Sequence, residues 1–292
     1  MNKEIIFDEA KRASFLSEYI EKNKGACVTI VGRSILGRDI HCYKIGTGER
    51  VITLFGAHHS TERKSTAALY DLIDFLTIKS TRGAVFCDVN IGLLLQLFTF
   101  LIVPCPNPDG VEMSIAGASK SPLYERQVRM NGGSEDFSEW QANARGVDLD
   151  HNYSEGYLEY KRGYESCAEI NAGAEGFSGE HPESEPESHS LANLLRTVAP
   201  SALMSFGIGN GVIYPAPDGE RSLRIAARLA DSVGYSSEIC VRRNACGSLV
   251  EYAGTALRIP SFFVRLAVGE HTAARALSDI VRKLTVMLCK LL

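Results

Sequence analysis

The stretch "GAHHSTE", residues 56 to 62, follows the apolar run "VITLF" at 51 to 55. A buried strand that ends here would spill two histidines and a glutamate into a turn. The sequence then continues as "ERKSTAALYDLIDFLTIK", 62 to 79, whose apolar spacing is that of an amphipathic helix. A carboxylate three residues after a histidine can grip one cation from the head of a helix. A catalytic zinc normally takes three protein ligands and keeps one position open. A metal reading of His59 and Glu62 therefore demands a third donor from elsewhere in the chain. The plainer alternative is a polar strand–helix junction, with Glu62 favoured by the helix N-terminus.

The chain has 292 residues, 45% of them hydrophobic, enough for one large core. Its net charge of -4 and the lack of a basic patch give no reason to expect a nucleic-acid partner. The most apolar run, "IGLLLQLFTFLIVP" at 91 to 104, contains Gln96 and is too short to span a bilayer. It predicts a buried helical turn followed by a core strand, and no membrane association. No signal-like apolar run is visible near the start, so a cytoplasmic location is expected. The eight cysteines are scattered without a C-x-x-C pair and are expected to be buried free thiols.

Outward from the first motif, strands and helices alternate. Residues 8 to 23 have helical spacing. "CVTIVGRS" and "RDIHCYKIG" predict two strands around the turn "ILG", and "RVITLFGA" a third. "FLIVPC" predicts a core strand and "PNPDG" a turn. "ESHSLANLLRTVA" predicts a helix, "SALMSF" and "GVIYP" strands, and "ERSLRIAARLADSVG" another helix. "SFFVRLA" predicts the last strand and 273 to 291 the closing helix. The order points to one α/β domain over 1–292, with a mixed, mostly parallel twisted sheet and helices on both faces. Residues 115 to 182 are rich in polar residues and glycine, and are expected to form a long surface excursion.

Seven separated pieces together resemble one family, the zinc carboxypeptidases of the carboxypeptidase A type, and within it the bacterial branch that trims γ-D-glutamyl–diamino acid peptides from peptidoglycan. The pieces are "GRSILGRDI", "GAHHSTE", "VPCPNPDGV", "WQANARGVDLDHN", "SEPES", "GVIYP" and "IPSFFVRLAVG", in the family's order and at suitable spacing. The resemblance implies a zinc cofactor, a peptide or peptidoglycan-fragment ligand, and His59 and Glu62 as the first two ligands. It implies that Asp148 orients His59 from behind, a contact that fixes the tautomer and raises ligand basicity.

The chain also departs from that pattern. Counted back from Ile213 and Tyr214, Gly207 stands where the family's third ligand, a histidine, belongs. In "PSFFVRL", Arg265 stands where the resemblance places the general base, a glutamate. Arginine stays protonated and accepts no proton. Asp150-His151 replaces an Asn-Arg pair that clamps the substrate carboxylate, and Gln141 takes the place of a cationic oxyanion stabiliser. Tyr252 aligns poorly with the family's late tyrosine. Three outcomes are carried forward: a peptidase with a remodelled site, a catalytically silent binder of a peptide or partner, and a structural role in an oligomer. Arg265 is expected to fill the vacated metal position and pair with Glu62, Asp150 or both. His58, His151 and Cys246 are the substitute ligands to check. The glycines of "GIGNG", 207 to 211, are followed by a strand-like stretch instead of a helix, which argues against a phosphate loop.

Overall fold

The computed structural model describes residues 6–81, 83–168, 170–217, 219–269 and 274–292. Eight strands form one sheet: β1 (Cys27–Arg33), β2 (Asp39–Ile45), β3 (Arg50–Phe55), β4 (Phe98–Val103), β5 (Ala202–Gly209), β6 (Val212–Pro215), β7 (Ser236–Ser237) and β8 (Ser261–Ala267). Their spatial order is β1-β2-β4-β3-β5-β8-β6-β7. The central strands β4, β3, β5 and β8 run parallel to their neighbours in that group. The pairs β1–β2, β2–β4 and β6–β8 are antiparallel.

Seven helices carry the chain across the sheet. They are α1 (Glu9–Lys22), α2 (Arg63–Thr81), α3 (Ile91–Leu97), α4 (Pro108–Ala116), α5 (Pro186–Val198), α6 (Glu220–Val233) and α7 (Ala274–Leu291). Among the described residues no helix is long and apolar enough to cross a membrane. The expected helices and strands all form. Residue 273, the expected first residue of the closing helix, lies outside the described residues.

Period-2 alternation sends successive side chains to opposite faces. On one face Ile52, Leu54, Met204, Phe206, Phe262 and Val264 join the core under α2, α6 and α7. On the other, Phe55, Val103 and Leu203 pack against Leu191 and Leu195 of α5. The same alternation puts Gly207, Gly209, Phe263 and Arg265 together on this second face. The parallel register sets Arg265 beside Gly207.

Two expectations need correction. "PNPDG" does not end in a turn but starts α4: the Asn107 side chain accepts the Gly110 N–H at 3.0 Å, and Pro108 occupies the first helical position. Proline suits that position because its missing N–H would have no helical partner there. The segment 115 to 182 is loop-rich, but it is not merely surface. It includes a helix at Tyr124–Met130, and Phe137 and Trp140 pack on Met113 and Ala142 in a small core of their own. Its scattered aromatics lack a period because they are gathered by turns instead of by one regular element.

Candidate functional site

In open α/β sheets, ligands bind beyond the carboxyl ends of the strands, where successive connections diverge. Here the divergence is at β3, which has β4 on one side and β5 on the other. Directly beyond β3 lie His58 and His59, and the turn leads to Glu62 at the head of α2. A cleft of about 670 Å³ opens there, lined by His59, Glu62, Gln141, Asp148, Asp150, His151 and Arg265 among others. These seven candidates from the sequence reading thus line one space, and Gly207 lies against Glu62 beside it.

The half of the cleft built on the β3–α2 turn is tightly tied. His59 Nε2 meets Asp148 Oδ1 at 3.0 Å, and its Nδ1 faces Glu62 Oε1 at 3.9 Å. Asp148 also accepts the backbone N–H groups of Asp150 and Gly176, at 3.1 and 3.0 Å. Burial works against a charged His59, but the Asp148 carboxylate overrides it and raises the imidazole well above its ordinary pKa. Burial alone would raise Asp148; instead His59 and His151 hold its carboxyl well below the usual range. Glu62 is pushed up to about 7 by burial, with His59 opposing, and its Oε1 accepts the Ile208 N–H at 3.2 Å.

The half built on β5 and β8 is different. A Cβ placed on Gly207 would press into the Glu62 carboxylate and stand 2.7 Å from the Phe263 ring. A Cβ on Gly209 would stand 2.5 Å from Arg265 Nε, so that glycine makes room for the guanidinium. Arg265 does not pair with Glu62 or Asp150, contrary to the expectation above. Its Nε reaches the Ile208 carbonyl at 3.4 Å, and among the described residues it has no carboxylate within ion-pair distance. The reason is local: the Arg265 side chain leans along β5 over Gly209, where its Nε meets the Ile208 carbonyl.

Zinc with donors at about 2.1 Å would hold two tetrahedral ligands about 3.4 Å apart. His59 and Glu62 come near that, but no third donor converges on them. Among the described residues no group of three histidine, cysteine, aspartate or glutamate side chains is arranged to hold a metal. The substitute ligands all point elsewhere. His58 donates from Nδ1 to the Gly56 carbonyl at 3.3 Å and receives the Tyr153 hydroxyl on Nε2 at 3.0 Å. His151 donates to the Cys246 carbonyl at 2.8 Å and stacks on Tyr160 with ring centroids 3.7 Å apart. Cys246 is buried, and burial lifts its thiol to about 12. The residues present do not fit a three-ligand zinc site.

Gln141 donates to Glu175 Oε2 at 3.1 Å. Tyr252 does not line the cleft: it is buried, and its hydroxyl accepts from Arg196 at 2.9 Å. All eight cysteines are free, as expected, but not all are buried: Cys27 on the edge strand β1 and Cys167 in the 115 to 182 segment are exposed. Sequence reasoning missed Phe263, Gly209, Arg243 and Asn244. Phe263 was within reach, since it stands two residues before Arg265 on one strand and so shares its face. It also missed an adjoining pocket of about 390 Å³, mostly apolar, which shares Asp150, Asn244 and Phe263 with the cleft.

With fold and site in place, the comparisons agree on a class. The zinc carboxypeptidase model matches residues 14–238, and the chain belongs to that family. Arg265 lies beyond the matched residues. Within the class, the chain is similar to the Gamma-D-glutamyl-L-diamino acid endopeptidase 1 of Lysinibacillus sphaericus, at 28% identity over 188 residues, covering 64% of this chain and 46% of the relative. It is also 25% identical over 218 residues to protein YqgT of Bacillus subtilis, covering 73% and 57% of the two chains. The chain spans about half the length of these curated relatives. Bovine thrombin-activatable fibrinolysis inhibitor shares the fold, with TM-score 0.74 at 15% identity, covering 98% of this chain and 97% of that one. The murein-tripeptide amidase MpaA of Escherichia coli O157 shares it with TM-score 0.55 at 20% identity, covering 90% and 91%.

Proposed function

We propose that this zinc carboxypeptidase family member is a catalytically silent binder that holds a peptide in the old cleft. The observation that carries the reading is the state of the β5–β8 face. Gly207 cannot ligate, its seat is taken up by the Glu62 carboxylate and the Phe263 ring, and Arg265 brings a fixed positive charge into the cleft. Hydrolysis in this family needs a water activated by metal and a base to take its proton. His59 and Glu62 supply two donors, and Arg265 supplies no base. What this chain's residues can do is bind: the cleft offers charged walls, and the adjoining pocket offers an apolar one. The named activity of the Lysinibacillus sphaericus relative makes a γ-D-glutamyl peptide of the peptidoglycan type the first ligand to try.

The test is an assay of γ-D-glutamyl–L-lysine with the full chain, with and without chelator and with added zinc. Binding without turnover in every condition is expected. Turnover that chelator abolishes and zinc restores would overturn the reading.

A further inference from the structure

Most charged groups in the cleft are already matched. Asp148 holds His59, Glu175 receives Gln141, and Glu62 takes a backbone N–H. Three are not. Among the described residues, Asp150, Arg243 and Arg265 make no ion pair within 4 Å. Asp150 engages Asp148 only through its own backbone N–H, and Arg265 has one long contact to a carbonyl.

Their positions differ. Arg265 is seated over Gly209 on the sheet face, with no Cβ below to displace it. A planar guanidinium held this way presents a fork suited to a carboxylate. Asp150 stands at the neck, lining both the cleft and the apolar pocket. The two charges share one space, since both side chains line the cleft. Concave, low-dielectric walls strengthen their fields.

We propose that Arg265 and Asp150 form a two-charge seat that selects a ligand bearing both a carboxylate and an ammonium group, the carboxylate on Arg265, the ammonium on Asp150 and an aliphatic stem between them in the cleft. This rests on the silent-binder reading. It reverses the polarity that the sequence resemblance implies at residue 150, where a carboxylate now repels an anionic ligand end. Phe263, which lines both the cleft and the adjoining pocket, gives the stem an apolar wall.

The experiment measures calorimetric binding of γ-D-glutamyl–L-lysine, its C-terminal amide and its Nε-acetyl form. The proteins are the wild-type chain and the Arg265→Gln, Arg265→Lys and Asp150→Asn variants, each checked for native circular dichroism. Wild type is expected to lose about tenfold in affinity on amidation and about tenfold on acetylation. Arg265→Gln is expected to become indifferent to amidation only, and Asp150→Asn to acetylation only, with Arg265→Lys intermediate. Arg265→Lys keeps the charge without the fork, so it still tests the anion seat if the glutamine variant does not fold. Tight binding that ignores both modifications overturns the seat and leaves the silent-binder reading standing. Failure of the parent peptide to bind folded wild type overturns the seat as well. Chelator-sensitive turnover overturns the reading on which it rests.

Discussion

The two halves of the cleft differ in how firmly their side chains are tied. On the β3–α2 side, His59, Glu62 and Asp148 sit in a buried mesh of hydrogen bonds. On the β5–β8 side, Gly207 offers no side chain and Arg265 makes one long contact, to the Ile208 carbonyl. The difference is physical. Asp148 caps the short turn Leu149–His151, accepts the Gly176 N–H and holds His59, so its carboxylate supports the loop whether or not a metal is present. Arg265 reaches from β8 into the cleft and holds no other element in place. Large losses of stability on mutation are therefore expected on the first side and small ones on the second.

This contrast can be broken from either side. The largest effect is expected behind the β3–α2 half, where Glu187 lies fully buried beside the Glu185–Arg145 pair. Burial, with Asp109 and Glu185 adding to it, pushes Glu187 up to about 8. A carboxyl whose folded pKa is raised above its unfolded value binds its proton more tightly when folded. Stability therefore falls as pH rises from about 4.5 to about 8, at about 1.4 kcal/mol per unit. Urea unfolding at pH 5 and pH 9 is expected to show wild type losing on the order of 3–5 kcal/mol relative to Glu187→Gln. Equal pH dependence of the two proteins would remove Glu187 from the frame.

Next in size, Asp148→Ala strips His59 of its partner and leaves two N–H groups without an acceptor. A loss of about 3 kcal/mol in urea unfolding at pH 7 is expected. A loss below about 1 kcal/mol would mean that the β3–α2 half is not structural. Gly209→Val should then cost about 1–2 kcal/mol, because its side chain meets the guanidinium of Arg265. Pairing it with Arg265→Ala, which removes the Nε and Cζ that the new side chain meets, should recover much of that loss, and a fully additive double variant would show that the two positions do not touch. Smallest of all, Arg265→Gln alone should lie within about 0.5 kcal/mol of wild type, since no ion pair is lost.

The same contrast marks what could be read from the sequence. Alternation in "IPSFFVRL" was enough to place Arg265 on the cleft face, because a strand's period of 2 leaves no third choice. The spacing of "GAHHSTE" before an amphipathic helix was enough to place His59 and Glu62 in one turn. What the pattern did not give was the pairing across elements. The expected Arg265–Glu62 contact fails because the Arg265 side chain leans along β5 over Gly209, a displacement that depends on side-chain packing over Gly207 and Gly209. The buried aromatics of 115 to 182 were missed for a related reason. Tyr153 and Trp140 are collected by irregular turns, and irregular turns carry no periodic signal.

The most direct test titrates zinc calorimetrically into chelator-treated, dialysed full-length protein at pH 7.5, alongside His59→Ala. The expected result is no saturable site tighter than about 10 μM and no difference between the two proteins. One zinc per chain bound at nanomolar affinity, and lost in His59→Ala, would contradict the account.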